Sequence, residues 1–159
     1  IYIEQNQAEA AAKLLEQSLL TAVNDVQTLM YKLIDANIAL GDKDTAAYVT
    51  ERVTRLAETF DLNPYNAAVA HFTVAVANKD AAQTVAFLRK MLDSMSSVWK
   101  VQESPLYRRI TTNDTGTSMK ELIAPLIQEL KQSPEYEYLQ TNEEFHTLIA
   151  EFEEKVSIE

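Results

Sequence analysis

The residues from which a chemical site could be built are few. His71 and His146 are the only imidazoles, and there is no cysteine. That excludes a disulfide framework, a thiolate metal site and a cysteine nucleophile together. Zinc takes three or four ligands, mostly His and Cys, and two histidines so far apart in sequence do not supply them. Glu143-Glu144 precedes His146, a pattern that helix capping and surface solvation explain. No metal site and no cofactor are expected. Of the 24 acidic residues, none lies in an apolar run that would raise its pKa for acid–base work, and no enzyme is expected. The tandem Arg108-Arg109 follows Tyr107. It could clamp a carboxylate or phosphate bidentately, or pair with local Glu and Asp. The two glycines lie far apart, so no glycine-rich phosphate loop accompanies it.

The elements that must position these groups are helices. No segment shows the sustained alternation of a strand, and the expected fold class is all-α, with no sheet. From Glu4 to Leu40 there is neither Gly nor Pro. Apolar residues at Leu15, Leu19, Ala22, Val26, Leu29, Leu33 and Leu40 keep one phase, which favours one long helix over two broken near Asn24. Gly41-Asp42 stops it. Asp44 is read as the cap of a second helix to about Phe60, with Val49, Val53, Leu56 and Phe60 on one face. Asn63-Pro64 then pairs an N-cap with a first-turn proline, starting a helix to about Ala77. Asn78-Lys79-Asp80 is another turn and cap. The next helix carries Val85, Leu88, Met91, Leu92 and Met95.

The helical pattern fails over 96–117, a long loop in which Leu106 and Tyr107 beside Pro105 would dock against the helices. Trp99, in the same loop, suits either a core edge or an interface. Ser118 with Glu121, and Thr141 with Glu144, read as capping boxes. Pro125 would kink the intervening helix or delay its start. Ser133-Pro134 starts a short helix, and Phe145, Leu148, Ile149 and Phe152 form the apolar face of the last one.

Sliding the chain on itself by about 36 residues lays Ala39, Lys43, Asp44, Ala46, Val49 and Leu56 on Ala75, Lys79, Asp80, Ala82, Val85 and Leu92. Two helices joined by a shared turn in each unit, at a period in the mid-thirties, resemble tetratricopeptide repeats. The resembling stretches are "ALGDKDTAA" and "FDLNP". The second helix runs longer than that family's pattern, and Ile34 stands where its first helix wants a small residue, whereas Ala70 fits. Residues 1–159 are thus expected to form one repeat-like helical domain. Within it lie a long helix or helix pair over 1–40, two helix pairs over 25–95, a loop over 96–117 and C-terminal helices over 118–159. The resemblance implies antiparallel hairpins stacked as a right-handed helical array. With Ala46 and Ala82 laid on the family's alanine, it puts Tyr31, Asp35 and His71 on the concave, ligand-lining face. Asp35 would take a cationic group of a peptide and Tyr31 would pack an apolar one; the plainer reading makes His71 a satisfied half-buried residue and Tyr31 core.

Met91 to Ile110 and Leu126 to Ile149 resemble the tail of bacterial transcription regulators that begin with a phage-repressor-like helix-turn-helix. Met91-Leu92, Ser104-Pro105-Leu106-Tyr107, Tyr138-Leu139, Asn142 and Phe145 carry that likeness. It implies a cytoplasmic regulatory domain that binds a peptide or protein partner, with the DNA-binding head before Ile1. The alternative is a stand-alone or membrane-tethered repeat scaffold. A net charge of -10 repels phosphate backbones, so this segment itself is not expected to bind nucleic acid. No apolar run is long enough to span a membrane. From Glu129 to Glu159 nine Glu face two Lys, a solvated face or an acidic docking surface for a basic partner. A homodimer is expected, through the Ala-rich face of Ala8, Ala11, Ala12 and Leu15.

Overall fold

The computed structural model describes residues 5–111 and 119–158, with side chains described from residue 7 onward. Among them the structure is all-helical. Helix α1 (Gln5–Leu40) runs unbroken through Asn24. It is followed by α2 (Lys43–Thr59), α3 (Pro64–Ala77) and α4 (Ala81–Ser96). The C-terminal part holds α5 (Ile123–Gln132) and α6 (Glu143–Ser157), with 3-10 turns at Val101–Glu103, Met119–Leu122 and Pro134–Leu139. Each of α1 to α3 packs on its successor, α1 also touches α3, and α4 packs on α6. No helix of the described residues is long and apolar enough to cross a membrane.

The two hairpin turns are built alike. After α1, Gly41 N–H donates to Ile38 O and Asp42 N–H to Asn37 O. After α3, Lys79 N–H donates to Val76 O and Asp80 N–H to Ala75 O. Gly41 (φ 75) and Lys79 (φ 52) are both left-handed, the conformation that closes a helix C-terminus. Asp42 Oδ1 then accepts from Thr45 N–H at 3.0 Å, and Asp80 Oδ1 from Gln83 N–H at 3.1 Å. Gly41-Asp42 is therefore equivalent to Lys79-Asp80, an offset of 38 rather than 36. Burial follows this register: Ala46, Thr50, Val53 and Ala57 of α2 are buried, and so are Thr84, Leu88, Met91 and Met95 of α4. In the other register Ala46 would fall on Ala82, which is exposed. The cap of α2 is thus Asp42, with Asp44 in the first turn.

The caps of α3 are as the sequence implied, with Asn63 Oδ1 accepting from Tyr65 N–H and Pro64 at the first helical position. At the last helix the cap is Asn142, not Thr141: its Oδ1 accepts from Phe145 N–H at 2.8 Å. Ser118 lies outside the described residues, so its capping box does too. Pro125 sits in the first turn of α5, after the 3-10 turn. There its missing N–H has no helical carbonyl to meet, and the helix starts late rather than kinking.

The largest core lies between α3 and α4 on one side and α5, the Pro134–Leu139 turn and α6 on the other. Leu88, Leu92, Leu130, Leu139, Phe145, Leu148 and Phe152 are fully buried there. Smaller clusters hold α1: Ile34 with Val49, Val53 and Ala70, and Val23 with Ala57 and Leu62. The segment after α4 docks as expected. Tyr107 is fully buried and its hydroxyl donates to Phe60 O at 2.7 Å. Ser104 Oγ donates to Asp61 Oδ2, also at 2.7 Å. Val101, Tyr107 and Ile110 close over Leu19 and Leu20 of α1.

Candidate functional site

Helix α2 buries Ala46, Val49, Thr50, Val53 and Ala57, so the helical period turns Tyr48, Glu51, Arg52 and Arg55 outward. They meet His71 of α3 and Phe87 of α4 around a groove of about 430 Å³. A second hollow of about 340 Å³ adjoins it, lined by Thr54, Pro64 and Lys90 and sharing His71 and Phe87 as walls. The partition between them is a ring stack. The His71 and Phe87 centroids lie 4.4 Å apart with planes 8° from parallel. Volumes of this size suit a small ligand or a short piece of extended chain.

The electrostatics of the groove are fixed by its neighbours. His71 Nε2 shares a hydrogen bond with Thr54 Oγ1 at 2.9 Å and lies 3.9 Å from Glu51 Oε1. Burial pushes its pKa below the ordinary imidazole value; Glu51 acts the other way, and Lys90 adds to the lowering. The imidazole is therefore neutral at pH 7. Arg52 donates to Tyr48 Oη at 2.7 Å, and its guanidinium carbon stands 4.6 Å over the Tyr48 ring. Lys90 Nζ stands 4.9 Å over the Phe87 ring. Arg55, three residues beyond Arg52, makes no hydrogen bond or ion pair to the described residues. A guanidinium with open donors beside an apolar ring is suited to a carboxylate attached to an apolar group.

The five residues singled out from sequence fall in three places. Tyr31 and Asp35 come together at a hollow of about 200 Å³ between α1 and α3, beside Val69 and Thr73. Tyr31 is already engaged there: its hydroxyl donates to Asn66 O at 2.7 Å and accepts from Gln27 Nε2 at 3.0 Å. Burial, then the neighbouring Tyr65, holds its hydroxyl far above the usual tyrosine range, against a smaller opposite effect of Gln27. His71 is not with them. Under the observed offset of 38, Asp35 corresponds to Thr73, and a residue two positions away on a helix points about 200° round it. His71 consequently faces α2 and α4.

Arg109 clamps Glu16 of α1, its backbone N–H and Nη1 each donating to one carboxylate oxygen at 2.6 Å. Burial of Glu16 raises its pKa, but the Arg109 bonds and the Arg108 charge outweigh it and hold the carboxyl below the usual range. Arg109's partner is thus an acid 93 residues away rather than a local one, while Arg108 is exposed. Arg52, Arg55, Phe87 and Lys90 were not picked out from sequence. The signal was available in Tyr48, Arg52 and Arg55, spaced by four and three along the polar face of α2. Among the described residues no group of three His, Asp or Glu is placed to hold a metal. No family model matches the chain, and no curated protein or solved structure matches it either.

Proposed function

We propose that this chain is a binding domain that takes an extended, acidic peptide or protein segment in the groove of α2, α3 and α4. The single observation that carries this reading is the constellation of Arg52 and Arg55 one turn apart, facing the stacked His71 and Phe87. An acidic side chain would meet the Arg55 donors, and an apolar neighbour would lie against Phe87. A tetratricopeptide-like stack of hairpins is the scaffold in this reading, supported by the twice-built turn at Gly41-Asp42 and Lys79-Asp80. The likeness of 91–110 and 126–149 to regulator tails supports placing the domain in a cytoplasmic bacterial transcription regulator. There, ligand binding would shift helix packing and so the spacing of attached DNA-binding heads.

The test is fluorescence anisotropy with a labelled hexapeptide alternating Glu and Phe, against a Lys/Phe control. The acidic peptide should bind and the basic one should not. Arg55→Ala should weaken binding at least tenfold, about 1.4 kcal/mol, with an unchanged melting temperature. Equal affinity for both peptides, or an Arg55→Ala variant that binds like the parent, sinks the reading. For the regulator placement, the coding sequence upstream of Ile1 is decisive, because the proposal needs a helix-turn-helix there.

A further inference from the structure

Helix α1 carries a second apolar face that the rest of the described residues leave largely uncovered. Its buried side is Glu16, Val23, Gln27, Ile34 and Asn37. About a third of a turn round from that side, apolar residues recur at 15, 19, 22, 26, 29, 33, 36 and 40, all exposed except Leu19, which is half-buried against the Val101, Tyr107 and Ile110 cluster. Steps of four and three in strict alternation give a period of 3.5, the seam of a two-helix coil rather than the broader 3.6 stripe of a core-facing helix. Leu15, Leu29 and Leu40 are 68%, 65% and 80% exposed, and Val26 and Leu33 are 46% and 49% exposed. From Leu15 to Leu40 the strip is about 38 Å long and about one helix wide. Two such strips face to face remove on the order of 1,000 Å² from water, where specific interfaces begin. Monomeric soluble proteins rarely leave so long an apolar strip open.

We infer that α1 pairs with α1 of a second copy, antiparallel, about a two-fold axis between Gln27 and Thr28. The assignment of occupant and direction comes from size and charge. In this register Leu33 meets Ala22 of the second copy, Leu19 meets its Ala36, Val26 meets its Leu29 and Leu40 meets its Leu15. Between the centre and the ends, large residues face small ones. The positions bordering the seam on its open side are Ser18, Asp25, Lys32 and Ala39, all exposed. Asp25 then lies opposite Lys32 of the second copy and Lys32 opposite its Asp25, two reciprocal ion pairs. In a parallel coil the same positions would face Met30 and Asn37, which carry no charge and are half-buried and buried within their own subunit. No seam residue lines the groove of α2 to α4, so this inference stands or falls independently of the ligand reading.

Sedimentation velocity of the chain at about 100 μM, a concentration that populates micromolar complexes, should give a dimer. Leu29→Asp should give a monomer with unchanged helicity, because Leu29 belongs to none of the buried clusters, and a melting temperature that no longer depends on protein concentration. Asp25→Lys alone and Lys32→Asp alone should each weaken the dimer about tenfold, and the double variant should restore it. Spin labels at Ser18→Cys should lie about 30 Å apart, from 19 residues of rise and one helix diameter; a parallel coil would hold them at about 10 Å. A monomer at that concentration, a dimer indifferent to Leu29→Asp, single charge changes that the double variant fails to rescue, or the short label distance each overturns the inference.

Discussion

The imidazole of His71 lies flat on the phenyl ring of Phe87, 4.4 Å between centroids. The stack buries a ring face and leaves Nε2 to Thr54 and Glu51. A protonated imidazole is less at home there than in water, and this is why its pKa is lowered.

Stability should therefore depend on pH with a defined sign. The unfolded histidine titrates near 6.5, and the folded one lower. The unfolded chain binds the proton more readily, so the contribution is complete above about pH 6.5 and is lost as pH falls through the folded value. Thermal melts between pH 8 and 5 should show a falling melting temperature below that point. His71→Phe should flatten the part of the slope that His71 supplies. A slope that is the same in both proteins contradicts the assignment.

Binding should run the other way. An acidic segment beside His71 favours the imidazolium, so the complex has the higher pKa and affinity rises as pH falls from 7.5 toward 5.5. Calorimetry at pH 6 in two buffers of different ionisation enthalpy should reveal net proton uptake. His71→Gln should abolish most of it, whereas changing His146, whose Nε2 lies 2.7 Å from Gln140 O, should not.

The two hairpin turns make opposite predictions from equal geometry. Gly41 (φ 75) has open space where a Cβ would be, so only its left-handed backbone resists substitution. Gly41→Ala should cost about 1 kcal/mol. Lys79 already bears that strain at φ 52, and Lys79→Gly should return a similar amount. Denaturant midpoints of the two variants should move in opposite directions.

Much of the architecture can be read directly from residue types. Pro64, Gly41 and the apolar spacing of α4 and α6 each have one physical meaning, and the helices sit where those signals put them. The equivalence of the two turns was not legible from letter matching. Lys43-Asp44 and Lys79-Asp80 are identical pairs, and they align at 36 residues. The turn, however, requires a left-handed residue followed by a capping aspartate, and that pair is Gly41-Asp42 in the first copy. Two residues of slip carried His71 to the wrong face. The same blindness affected α1, where the most regular apolar stripe is the exposed one. Its inward side holds Glu16 and Gln27, whose partners Arg109 and Asn66 come from distant parts of the chain.

Tyr107 offers a clean probe of how the long connection is held. Tyr107→Phe removes the bond to Phe60 O and leaves the ring in place. A net hydrogen bond is worth about 1 kcal/mol, so the melting temperature should drop by about 2–4 °C, with no effect on peptide binding. A larger loss would mean that the hydroxyl also organises the turn at Asp61.

The polar contacts along α1 fix more than its position. Glu16 is gripped by Arg109, and Gln27 with Tyr31 is gripped by Asn66, 11 residues further on and about 16 Å along the axis. Greasy side chains tolerate a rod rolling slightly in its bed. Directional bonds at two stations do not, because a small roll would strand several desolvated donors and acceptors at once. Anything carried at the far tip of that rod inherits a definite compass heading relative to the body, and a displacement of either latch would swing it.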